Sequence, residues 1–175
     1  MKMQIKIISA LLLAGLGLPA RAYTWFTEDA LLASFFPGQA PSHEAWTLSA
    51  EEAEAFKALV GYAPPQDGYE WFVAPDGSGL ALIDEQLGQH EPITFGVKLG
   101  ADCRIQRIEV MVYREQYGDG VRSEAFRRQF VGRDASQPMR AGKDIQIVSG
   151  ATVSSRSLAT GARRASALCQ VWAQP

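Results

Sequence analysis

Apolar positions fall at helical spacing through the first third of the chain and then switch to strand-like alternation. Thr27 to Phe36 predicts a short helix, with Thr27 at its cap and Pro37-Gly38 ending it. A proline-containing loop is expected as far as Leu48. Ser49 then starts a second helix, because Glu52 stands three residues on and completes a capping box. Ala53, Phe56, Leu59 and Val60 keep the helical step, and Gly61 closes the element.

From Tyr69 the period shortens. Glu70 to Ala74 and Leu80 to Asp84 read as paired strands around the turn Pro75-Asp76-Gly77-Ser78-Gly79. Ile93 to Leu99 and Arg104 to Arg114 form a second pair around Gly100-Ala101-Asp102. In the last of these, Ile108, Val110 and Val112 are expected on one face and Glu109, Met111 and Tyr113 on the other. Ser123 to Phe130 predicts a short helix, Gly132 to Lys143 a polar loop, and Ile145 to Val148 a brief apolar run. A long helix follows from about Thr152 to Trp172, with Leu158, Ala162, Ala165, Leu168 and Trp172 as its buried stripe. The expected class is α+β, an antiparallel sheet with packed helices. Residues 23–68 are expected to form an N-terminal helical cover, and 69–175 the domain proper.

The first 22 residues stand apart. Lys2 and Lys6 precede an apolar run from Ile7 to Leu18, and Ala20-Arg21-Ala22 offers a small-x-small cleavage pattern. The run is shorter than the roughly 20 residues that span a bilayer as a helix, so a cleaved signal peptide and a soluble, periplasmic product are expected. The full chain has 17 basic and 19 acidic residues. Removing the signal takes away Lys2, Lys6 and Arg21 and leaves 14 against 19, which argues against a nucleic-acid surface. The two cysteines, Cys103 and Cys169, form no C-x-x-C pair. They read either as one long-loop disulfide in an oxidising compartment or as two buried small hydrophobes.

Candidate chemistry concentrates in Val148-Ser149-Gly150-Ala151-Thr152-Val153-Ser154-Ser155. The stretch reads as a tight turn of small residues opening a helix rich in hydroxyls. Amides in the first turn of a helix lack intrahelical partners and carry partial positive charge, which suits a phosphate. An ordinary capped helix would have the same composition.

Ser149-Gly150-Ala151-Thr152 followed by Val153-Ser154-Ser155 resembles the attachment signature of the FMN-binding domain family. That family includes the flavin-carrying subunits of sodium-pumping and Rnf-type respiratory complexes. Upstream, Tyr113-Arg114-Glu115-Gln116-Tyr117-Gly118 with Val121-Arg122, and Phe126 with Gln129-Phe130-Val131-Gly132, are similar to further family blocks in the same order. The resemblance covers about Ile93 to Trp172. It implies a single FMN-binding domain in which Thr152 bears FMN through a phosphoester, installed from FAD by a flavin transferase. It also implies electron exchange with a membrane or periplasmic redox protein.

On this reading Ser149, Gly150, Ala151, Val153, Ser154 and Ser155 hold the phosphate, and Glu115, Gly118, Arg122 and Gln129 are candidates for lining the flavin. Replacing Thr152 by Ala is expected to remove the cofactor for the loss of a cap, about 1 kcal/mol. Where the family usually carries Asp three residues before the signature serine, this chain has Gln146, with Asp144 two residues earlier. The alternative is FMN held without a covalent bond, or a flavin-free interaction module of the same fold.

Other chemistries lack parts. The histidines, His43 and His90, fall in expected loops and no G-x-S-x-G elbow is present, so a serine hydrolase has no partners for its nucleophile. No His-Cys-carboxylate cluster has metal-ligand spacing, and no Gly-x-Gly-x-x-Gly or acid-base pair points to a self-sufficient reductase. An electron carrier is therefore expected rather than an enzyme, with no catalytic residue and no metal.

Overall fold

A computed structural model of the chain describes residues 22–173; the expected signal segment lies, but for Ala22, outside them. Six strands form one antiparallel sheet: β1 (Tyr23–Thr24), β2 (Ser42–Thr47), β3 (Gly68–Val73), β4 (Gly79–Leu87), β5 (Pro92–Gly100) and β6 (Ile105–Tyr113). Their order across the sheet is β1-β6-β5-β4-β3-β2. The helices are α1 (Glu28–Phe35), α2 (Ala50–Val60), a single turn α3 (Glu124–Arg127) and α4 (Thr152–Trp172). The result is an α+β fold. Helix α4 lies across β4, β5 and β6 with α2 beside it, over a core that includes Phe56, Trp71, Phe95, Val110 and Leu168. Helix α1 covers the opposite face, where Leu31, Phe35 and Phe36 meet Phe72, Ala81 and Met111.

Local chemistry explains the helix ends. Thr27 caps α1 through the Ala30 amide. Ser49 and Glu52 make the reciprocal capping box of α2, and Gly61 ends that helix at φ +90°, a left-handed conformation that glycine adopts without a Cβ penalty. Strand β2 lies where a loop was expected. Its residues Ser-His-Glu-Ala-Trp-Thr are almost all exposed, because it is an edge strand paired only with β3, and such a strand carries no alternation to read.

Strand β6 departs from its expected alternation at a β-bulge. Phe95 pairs with Val110 and Thr94 with Val112, leaving Met111 extra. The added residue inverts the facing of the strand residues beyond it. Tyr113 thus joins Ile108 and Val110 on the α4 side, while Val112 packs with the α1 cluster.

Helix α4 is buried on nearly all sides rather than along one stripe. Leu158, Ala162, Ala165 and Leu168 are buried as expected, but so are Ser154, Ser155, Ser157, Arg164 and Ser166. Small residues permit this: a Cβ on Gly161 would lie 2.2 Å from the Phe95 ring. The serines find partners on the segments packed around the helix, as where Ser166 accepts from the Ala135 amide and donates to the Cys103 carbonyl. Arg164 is paired with Asp84 and bonds the Glu85 carbonyl. The two cysteines, left open by the sequence, form a disulfide that ties the β5–β6 turn to the last turns of α4, with Cα atoms 5.6 Å apart.

Candidate functional site

The hydroxyl-rich stretch forms the start of α4, where the polypeptide reverses after residues 141–148. Gly150 has φ +74°, which a side chain rarely adopts. The Ala151 amide bonds the Val148 carbonyl at 2.9 Å, and the Val148 amide donates to Ser155 Oγ at 3.1 Å. Ala151, not Thr152, is the cap, and it offers no side-chain acceptor. Thr152 is the first helical residue, and its hydroxyl makes no hydrogen bond among the described residues. The amides of Thr152, Val153 and Ser154 likewise have no protein partner there, and no acidic side chain stands in the first turn. Ser149, Gly150 and Val153 are exposed and Thr152 is half-buried. The arrangement is a set of free, aligned N–H donors beside a free hydroxyl, open to solvent.

Ser154 and Ser155 face inward. Ser154 Oγ lies 2.8 Å from the Tyr113 hydroxyl, which in turn donates to the Tyr117 carbonyl. Ser155 is fully buried on the Val148 amide. What Ser154 offers an anion is its backbone amide rather than its hydroxyl. Burial pushes the Tyr113 hydroxyl pKa up, against the lowering effect of its bond to Ser154. The β6 bulge is what aims this hydroxyl at α4.

Gly118 sits in the same knot at φ +98°. A Cβ there would lie 2.6 Å from the Tyr113 hydroxyl and 2.9 Å from Ser154 Oγ, so close packing on α4 requires glycine.

The remaining predicted residues act on the frame. The Glu115 carboxylate accepts from the amides of His90 and Glu91 and so holds the β4–β5 turn, residues 88–91. Burial pushes this carboxyl up, but the amides of His90, Glu91 and Gln89 outweigh it and hold its pKa below the usual value. Gln129 clamps the Gln146 backbone from both sides, accepting from its amide at 2.7 Å and donating to its carbonyl at 3.2 Å. The Arg122 guanidinium lies over the Trp25 ring at 4.8 Å. Asp144 is bound by Arg140, whose Nε is 2.8 Å away and whose amide also donates to it. The Arg140 side chain and amide bonds hold the Asp144 carboxyl down to about 2.

One surface feature escaped the sequence. Seven large apolar side chains are exposed among the described residues, and four of them, Leu87, Tyr117, Ile147 and Val153, belong to segments that meet at the start of α4. Ser157 joins two of these segments, donating to both the Leu87 and the Val153 carbonyl. The sequence shows that these residues are apolar but not that they are exposed on segments that meet.

Among the described residues no group of three or more His, Cys, Asp or Glu is placed to hold a metal ion, and no helix is long and apolar enough to cross a membrane. Compared with known families, residues 88–167 match the FMN-binding domain. No curated protein and no solved structure matches the chain.

Proposed function

Through residues 88–167 this chain belongs to the FMN-binding domain family, and on that footing we propose that it is an exported electron carrier with FMN esterified to Thr152. The observation that carries the reading is the unengaged Thr152 hydroxyl beside three unpartnered amides at the head of a 21-residue helix. A phosphate there gains charge-assisted hydrogen bonds and the favourable end of the helix dipole. The residues fit the rest of the cofactor as well. The exposed side chains of Leu87, Tyr117, Ile147 and Val153, on segments that meet at the start of α4, offer apolar surface to a flat ring, and Gly150 has open space where a side chain would stand.

In the attachment step, Thr152 Oγ1 gives up its proton and forms a bond to the FMN phosphorus of FAD, and AMP leaves. The flavin transferase supplies this chemistry. A covalent bond suits a protein outside the cytoplasm, where a reversible site of even about 10 nM affinity would lose its cofactor on dilution. Once attached, the flavin supplies the electron chemistry. The chain anchors the phosphate through the Thr152 ester and the first-turn amides, and it sets the ring's surroundings through segments that Glu115 and Gln129 hold in place. The Cys103–Cys169 disulfide accords with an oxidising compartment such as the periplasm. An open attachment surface, rather than an enclosed substrate cavity, favours exchange with a redox protein over turnover of a small substrate.

Co-expression with a flavin transferase is expected to add about 438 Da, FMN less one water, to the intact chain, and to give acid-stable absorbance near 450 nm. Thr152→Ala should abolish both. Because Ala151 is the cap, the substitution should leave stability within about 0.5 kcal/mol. A flavinylated Thr152→Ala protein, or a colourless wild type with the transferase supplied, would overturn the assignment.

A further inference from the structure

A cavity of about 310 Å³ lies on the α4 face that also carries Thr152, between that helix and the segments around Tyr62 and Met139. Three arginines line it: Arg140, Arg156 and Arg163. At 3.6 residues per turn, positions 152, 156, 159 and 163 form one stripe, so the cavity begins about 6 Å along the helix from Thr152.

The three guanidinium groups differ in how they are held. Arg163 is fixed by the Leu59, Val60 and Ala135 carbonyls, which take three of its five N–H groups and leave one on each terminal nitrogen. Arg140 is fixed by Asp144 through Nε and Nη2, leaving Nη1 free. Arg156 is exposed and makes no hydrogen bond or ion pair among the described residues. No carboxylate lines the cavity, and Asp144 offsets only one of the three charges. Tyr62, itself 37% exposed, and Met139 supply apolar wall, and Thr160 adds a hydroxyl.

We propose that this cavity is a binding subsite for a small organic anion, a carboxylate or phosphate attached to an apolar or aromatic body. Guanidinium forks match both headgroups, and two of the three are preorganised by their own partners, so little side-chain entropy remains to be lost on binding. The site stands out because the chain as a whole is acidic, with a formal charge of −2. It does not depend on the flavin reading, and its test uses protein whose Thr152 is unmodified.

The experiment follows the arginine Nε–H resonances of the full chain while benzoate, phenyl phosphate or neutral benzamide is added. Benzoate or phenyl phosphate should shift Arg156 and Arg163 saturably, and benzamide should not. The tighter of the two anions identifies the headgroup. Arg156→Gln, a change at an exposed and unpaired position, should weaken binding at least about tenfold. Arg128→Gln, which breaks the surface pair with Glu124, should leave it unchanged. Equal response to benzamide, shifts spread alike over Arg128, or no saturation by about 10 mM, well short of a specific site, would reduce the cavity to nonspecific surface charge and overturn the proposal.

Discussion

Thr152, Ser154 and Ser155 have much the same chemistry in the sequence, yet only one of their hydroxyls is free. Ser154 is bound to Tyr113 and Ser155 to the Val148 amide, so both turn into the fold and leave Thr152 Oγ1 beside the open amides. Glu115 shows the same separation of roles, since its carboxylate faces the amides of His90 and Glu91. Its folded pKa is depressed, so its contribution to stability is complete above the unfolded carboxyl value, about 4.3. That contribution is lost as pH falls through the lower folded value. Acidification through that lower folded value should therefore release the 88–91 turn, seen as reduced protection of the His90 and Glu91 amides relative to their intrinsic exchange rates at each pH. Glu115→Gln should show the same release at neutral pH. Protection that stayed constant across that range would mean the turn is held by something else.

At the scale of elements, legibility followed whether a segment's surroundings are local. The α2 capping box and the turn at Gly77 depend on neighbours a few residues away, and both were readable in the sequence. The edge strand β2, the bulge at Met111 and the burial of α4 beyond a single stripe depend on partners distant in the chain, which no periodicity encodes. The same distinction applies to the segment before α4. Asp144 lies two residues before Gln146, the place where the family usually carries Asp, and Arg140 holds it, while the Gln146 side chain is exposed on a backbone that Gln129 secures. Gln146→Asp should therefore leave the fold intact and raise the rate of flavin attachment, followed by intact mass in timed transferase reactions. Asp144→Asn should not slow attachment. If it did, and Gln146→Asp had no effect, Asp144 would be the acid the transferase reads.

Across the whole molecule, α4 connects the proposed attachment surface to the crosslink. Its first turn presents Thr152, and its last turns are tied through Cys169 to Cys103 in the β5–β6 turn, a closure of 66 residues. A crosslink of that span removes unfolded-state entropy worth about 4 kcal/mol in the chain-entropy account. A domain of this size has a total stability of roughly 5–15 kcal/mol, so the bond is a large share of the stability of the fold. The effect should be global and not confined to the site, because the first turn is secured separately by the Val148, Ala151 and Ser155 hydrogen bonds. Chain refolded in reductant should unfold in urea with a free energy lower by about 4 kcal/mol. The Cys103→Ala, Cys169→Ala double variant should do the same, with a further loss from the small cavity left behind. Whatever remains folded should still accept flavin at Thr152. An unchanged urea midpoint with both thiols demonstrably free would show that packing alone fixes α4, and that the disulfide records the compartment without supporting the fold.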